Sequence, residues 1–245
     1  MLPAHKPIQK IIILFSKKLI KRLFNSNICL ILPYKTIAKN MTDKKTHIIN
    51  IAVELFAEKG FEGTSIRDIA TKADVNVAMI NYYFGSKEKL FESMLEQKAA
   101  YTRDFLEEII KNKELSEIEK LDRIIDGYVT RLFTNRKFHR VIHQEMMLSQ
   151  REALQEAIVN MISPNSILIR SVIEAGIKNG SFKKVDSLLV IASIIGTINQ
   201  VLLSKKFCNK MLNKEDGYVP YDDPKFSKRV SDYLKDLMHS YLLKK

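Results

Sequence analysis

The most constraining feature of this chain is a run of helix stop and start signals packed into residues 60–86. Ahead of it Ile48, Ile49, Ala52, Leu55 and Phe56 recur at helical spacing, with Asn50, Glu54 and Glu58 facing away. That spacing predicts an amphipathic helix over residues 45–59. Gly60 stops it, and Lys59 sets a cation against the negative end of its dipole. Ser65 and Asp68 stand at the spacing of a reciprocal cap for a second helix ending near Lys72. Its apolar side, Ile66, Ile69, Ala70 and Ala73, is free to pack on the first helix. Asn76 caps a third helix over residues 77–83, Gly85 breaks the chain, and Ser86 caps a fourth. Two short helices joined by a tight turn make a helix-turn-helix.

The run AVELFAEKGFEGTSIRDIATKADVNVAMINYYFGSKEKLF, residues 52–91, resembles the TetR/AcrR family of bacterial transcriptional regulators. The specific parts are the helix end at residues 56–60, Thr64-Ser65, Ile69-Ala70, and Tyr83-Phe84 followed by Ser86-Lys87. The resemblance implies an all-α chain with a three-helix DNA-binding unit at residues 41–88 and a larger helical effector-binding and dimerisation domain at residues 89–245. It also implies a recognition helix lying in the DNA major groove, within residues 75–84. Thr64, Ser65, Arg67, Tyr82, Tyr83 and Lys87 map to positions that contact the DNA backbone, where hydroxyls and ammoniums fix register on phosphates. Asn76, Val77, Ala78, Met79 and Asn81 map to positions facing base edges. An Asn pairs with adenine and apolar side chains meet the thymine methyl, so the half-site leans to A·T. Val77 departs from the Lys or polar residue frequent early in this helix, and Asn81 from the usual Tyr. Charge adds nothing independent, because residues 41–88 carry a net charge of −1. Binding must rest on a few placed cations, hydroxyls and helix N-termini.

Further helices are expected at residues 86–113, 117–134, 137–149, 152–162, 165–179, 186–204 and 226–243. Nothing alternates as a strand should, and Gly180 and Pro224 fall at breaks. The two cysteines, Cys29 and Cys208, are too few for a disulfide framework or a four-ligand zinc site and suit a reducing, cytoplasmic setting. Residues 187–204 are uncharged, but Ser193, Thr197, Gln200 and Ser204 fall on one narrow stripe, which points to burial between helices rather than to membrane insertion. The last helix carries Phe226, Val230, Tyr233, Leu234, Leu237, Met238 and Tyr241 on one face. These two helices look like the family's dimerisation pair, and a two-fold homodimer suits a palindromic operator in double-stranded DNA.

The middle helices correspond to the family's effector-binding region. Tyr101, Phe105, Tyr128, Phe133, Phe138, Met146, Met147 and Met161 are the expected lining of an apolar pocket for a small hydrophobic or amphipathic effector, each with core packing as its competing role. His139 and His143 stand four apart with Glu145 nearby, but no third ligand has diagnostic spacing, so neither a metal nor a cofactor is expected. The expected function is a ligand-responsive dimeric repressor. A P-loop, a dinucleotide fingerprint, a nucleophile elbow and a zinc-protease signature are all absent, which argues against an enzyme.

The chain has 245 residues and a formal net charge of +12. Residues 1–40 hold eight of the basic residues and no Asp or Glu, which leaves +4 to the rest. At residues 10–24, Lys17, Lys18, Lys21 and Arg22 form a basic face opposite Leu19, Ile20, Leu23 and Phe24. This basic extension can lie on an anionic membrane surface, which makes a membrane-surface adaptor the alternative function, but its cations cut the apolar run too short to span one. The reading that carries more weight is a disordered arm, or sequence upstream of a start at Met41.

Overall fold

The computed structural model describes residues 34–148 and 151–244, with side chains from Lys44 onward. Its contacts gather residues 45–245 into one compact unit. The expected amphipathic segment at residues 10–24 lies outside the described residues. Helix α1 (Tyr34–Lys59) begins earlier than the apolar stripe alone predicts. It is followed by α2 (Ile66–Lys72), α3 (Val77–Phe84), α4 (Lys87–Lys111), α5 (Glu117–Thr134), α6 (Arg136–Leu148), α7 (Glu152–Lys178), α8 (Ser187–Leu202), α9 (Lys205–Met211), a 3-10 turn at Pro220–Asp222, and α10 (Pro224–Leu242). Among the described residues the fold is all-α, and its one extended pairing is a bridge between Phe182 and Leu243.

The boundaries follow the capping chemistry. Ser65 accepts from the Asp68 N–H at 3.1 Å while the Asp68 carboxylate accepts from the Ser65 N–H at 2.9 Å, a complete capping box for α2. Asn76 accepts from the Ala78 N–H at 2.8 Å to start α3, and Ser86 accepts from the Lys89 N–H at 3.2 Å to start α4. Gly60 and Gly85 have φ of 75° and 82°, the left-handed turn that ends a helix and that other residues adopt at a cost. Further along, Ser116 and Glu119 box α5, and Asp186 caps α8 through the N–H groups of Leu188 and Leu189.

Two features differ from the expectation. The helices predicted at residues 152–162 and 165–179 are one helix, α7, with Pro164 inside it. Proline removes one intrahelical hydrogen bond, but the apolar stripe runs straight through: Leu154 and Ile158 before it and Ile169, Val172 and Ile173 after it are all buried. Ser163 donates to the Val159 carbonyl at 2.6 Å, and buried Asn165 donates to the Ala99 carbonyl of α4 at 3.3 Å, tying the interrupted turn to its neighbour. The second difference is α9, which sequence periodicity missed. Ser204, expected to be the last residue of the preceding helix, instead caps α9 by accepting from the Phe207 N–H.

Two cores result. The first joins α1, α2, α3 and the start of α4 to Phe138 and Val141 of α6 and Leu154 and Ile158 of α7. The second gathers the end of α4, α5, the end of α7, α8 and α10. Among the described residues no single helix is long and apolar enough to cross a membrane, although α8 and α9, bent by 95° at their break, pass by composition as a pair. Helix α8 buries Val190, Ile194 and Ile198 and exposes Leu188 and Leu189, so its burial in the protomer is one-sided.

Gly176 marks a tight point in the second core. A Cβ there would lie 2.3 Å from the ring of Phe182, which is 2% exposed and has no room to retreat. Overpacking of this kind costs about 1–3 kcal/mol, more than the roughly 1 kcal/mol that alanine gains in a helix. Gly176→Ala is therefore expected to lower the denaturant midpoint, and an unchanged or raised midpoint would show that the ring yields.

Candidate nucleic-acid interface and internal cavity

Helix α3 is anchored by Ile80 and Phe84, which point into the first core. Opposite them Asn76, Ala78, Asn81 and Tyr82 are exposed, while Val77, Met79 and Tyr83 are half-buried. Tyr82 is 76% exposed and its ring lies 5.5 Å from that of Tyr83. Arg67, exposed on the first turn of α2, has no acidic partner among the described residues, whereas Lys59, Lys72 and Lys89 are each paired with a carboxylate. Lys45, which sequence reading passed over, sits 5.6 Å over the Phe84 ring and so adds a cation beside the end of α3. Only the fold reveals that placement.

Thr64 and Lys87, two of the positions expected at the DNA backbone, also make hydrogen bonds within the unit. Thr64 is fully buried, and its hydroxyl lies 2.8 Å from the Gly60 carbonyl and 3.2 Å from that of Leu55. The Lys87 ammonium donates to the carbonyls of Phe61 at 2.9 Å and Thr64 at 3.2 Å and sits 4.3 Å over the Phe61 ring. Both donate to carbonyls around the C-terminal end of α1 and the turn that follows it. Ser65 is exposed, but its hydroxyl is engaged with Asp68, whose carboxyl those bonds hold below the usual range.

A cavity of about 380 Å³ lies among α4, α5, α6, α7 and α8. Of the eight side chains expected to line it, Tyr128, Phe138, Met146 and Met147 do. The other four do not, for separate reasons. Tyr101 is 67% exposed under the Arg131 guanidinium, and Phe105 packs 3.6 Å from that guanidinium beside a shallower groove. Phe133 stacks on Phe226 in the second core, and Met161 packs on the first. Sequence reasoning missed the polar wall, which includes Lys98, Arg131, His139 and Asn165, because a polar residue on a buried face leaves no periodic signal.

Burial, and then the nearby Lys98 charge, push His139 down to about 4, so it is a neutral imidazole at neutral pH. Burial pushes the Tyr128 hydroxyl up to about 12. His143 also lines the cavity, but Glu145 turns away from it. Buried Glu145 meets the Arg151 guanidinium at 3.4 Å; the same group reaches Glu62 at 3.2 Å and lies 5.4 Å over the Phe61 ring. Burial raises the Glu145 carboxyl and Arg151 opposes that shift. No cluster of three metal-ligating side chains occurs among the described residues.

Residues 48–94 match the family described as bacterial regulatory proteins, tetR family, and residues 114–203 match the tetracyclin repressor-like C-terminal domain. The probable HTH-type transcriptional regulator YttP of Bacillus subtilis is 27% identical over 192 residues, spanning 78% of this chain and 90% of that protein. The HTH-type transcriptional repressor NicS of Pseudomonas putida is 30% identical over 156 residues, 61% of this chain and 73% of that one. The crystal structure of the transcriptional regulator FadR from Bacillus subtilis in complex with stearoyl-CoA superimposes with a TM-score of 0.61 at 26% identity, covering 77% of this chain and 96% of that one.

The placement of Thr64 separates stability from recognition. Thr64→Val keeps the shape but leaves the Gly60 carbonyl without its hydroxyl donor, which costs about 1–3 kcal/mol. Chemical denaturation should show that loss, and a wild-type midpoint would remove the hydroxyl from the account of the α1 end.

Proposed function

The chain belongs to the TetR family and is a DNA-binding transcriptional regulator, and from that premise we propose how its parts divide the work. Residues 41–88 form the DNA-binding unit, with α3 in the major groove. Residues 89–245 bind an effector and pair with a second copy, and the dimer represses from its operator until a hydrophobic or amphipathic effector releases it. The relatives are transcriptional regulators, so the cavity is read as a binding site rather than a catalytic one, and the protein acts in the cytoplasm, where its operator lies.

One observation carries the reading: α6 serves both sites. His139, Ile142, His143 and Met146 face the cavity, while Val141 and Glu145 are buried toward the DNA-binding unit. A ligand that displaces α6 therefore shifts the Glu145–Arg151 contact against Glu62 and Phe61, immediately before α2. In a dimer the two reading helices must enter successive major grooves about 34–36 Å apart, so a small rotation of each unit weakens binding.

On the recognition surface, Arg67 and Tyr82 hold the DNA backbone, and Asn81 and Ala78 read bases. Arg67→Ala and Tyr82→Ala should weaken operator and unrelated DNA alike, with Arg67→Ala lowering the salt slope by about 1. Asn81→Ala should cost about 1–3 kcal/mol at one base pair and relax preference there. Fluorescence anisotropy across salt concentrations reads both, and unchanged operator affinity in all three folded variants would overturn the interface. An effector hit must also weaken operator binding, and operator must weaken the hit by the same factor, typically about 5- to 150-fold.

The dimer face is the exposed side of α8 and α10: Leu188, Leu189, Tyr233, Leu237 and Tyr241. Leu234, expected there from periodicity, is fully buried within the protomer. Leu188→Glu and Leu237→Glu should give folded monomers in sedimentation, because an unpaired charge in an interface costs several kcal/mol. Leu234→Glu should unfold the protomer instead. A wild-type protein that sediments as a monomer at high concentration would end the dimer model.

A further inference from the structure

The cavity wall carries an unbalanced charge. Lys98 and Arg131 both line it, and no Asp or Glu does. Neither cation has a carboxylate partner among the described residues, although most half-buried cations of this chain have one. Lys98 Nζ makes only a neutral hydrogen bond, to Asn135 Oδ1 at 3.3 Å, whereas the Arg131 guanidinium packs over the Phe105 and Tyr101 rings. The Lys98 charge also acts on the His139 imidazole, so the two stand together at the α5–α6 junction. A cation partly removed from water is normally paired, and one left without an anion beside a cavity is prepared for one.

We propose that the effector is an amphipathic carboxylate, with its ionised head held by Lys98 beside His139 and its apolar body against the Ile, Leu and Met side chains of the remaining wall. This rests on the reading of the cavity as the effector site and narrows it, since a neutral hydrophobe leaves Lys98 without an anionic partner. Burial first, and then the Lys98 charge, lower the His139 imidazole. The titratable and charged groups that share the cavity with it are Lys98 from α4, Tyr128 and Arg131 from α5 and His143 from its own helix, and the lining from α7 and α8 adds only neutral groups. A carboxylate there favours the imidazolium and raises its pKa.

Laurate and its neutral methyl ester are the probes, titrated into the full chain by calorimetry. Wild type should prefer laurate by about tenfold or more, and Lys98→Met, checked for an unchanged melting temperature, should bring the two within about threefold. Nuclear magnetic resonance titration of His139 should show its pKa rising from about 4 by about one to three units with saturating laurate and holding with methyl laurate. Equal affinities in wild type, or an unmoved His139 with laurate bound, would overturn the proposal while leaving an apolar effector site intact. Failure of both probes to bind would remove the effector reading together with it. Laurate that binds with this signature but leaves operator affinity unchanged would uphold the anion site and overturn its regulatory role.

Discussion

Everything else in this structure depends on the pairing of α4 with α7. Each is long enough to enter both cores: α4 contributes Leu90, Phe91, Met94 and Leu95 to the first and Leu106 and Ile109 to the second, and α7 contributes Leu154 and Ile158, then Ile169, Val172 and Ile173. Between those sets the seam is marked by Pro164 and by the Asn165 amide on the Ala99 carbonyl. The cavity opens at this seam, walled by Leu95 and Phe138 from one core and Leu132 and Ile169 from the other. Side chains of each core pack well among themselves, and where the cores meet they leave a void large enough for a ligand.

That arrangement explains how an effector and a DNA surface influence each other without a flexible joint. Helix α6 is not a spacer but a shared wall, with imidazoles on one side and the Glu145 carboxylate on the other. A buried carboxylate is held in place by its single guanidinium, because separating the two leaves an uncompensated charge. Movement of α6 therefore cannot be absorbed locally and passes to Arg151, Glu62 and the Phe61 turn.

Local chemistry was legible in the sequence and long-range geometry was not. Ser65 with Asp68, Asn76 and Ser86 each cap the helix their spacing predicts, since a cap involves neighbours within four residues. Pro164 misled because its local rule was outweighed by packing on both sides of it. Leu234 and Leu237 share an apolar stripe, and only the path of α5 beneath α10 decides that the first is core and the second surface. The hydrogen bonds of Thr64 and Lys87 to carbonyls around the end of α1 follow from no spacing rule, because they depend on how the turn after α1 folds back. In the cavity the aromatic and Met residues were found half the time, and the cations not at all, because a lone basic residue on each of two helices joins the same wall only when folded.

The bridge between Phe182 and Leu243 has a kinetic consequence. With the Lys183 N–H on the Leu242 carbonyl, it fastens the segment entering α8 to the end of α10, near the chain's C-terminal residues. Contacts between segments so distant in sequence form late, since the intervening loop must first close. During synthesis the last turns of α10 are made after the segment entering α8, so this bridge closes later than the packing of α8 on α7. The face that α8 and α10 share is therefore complete only once α10 has docked.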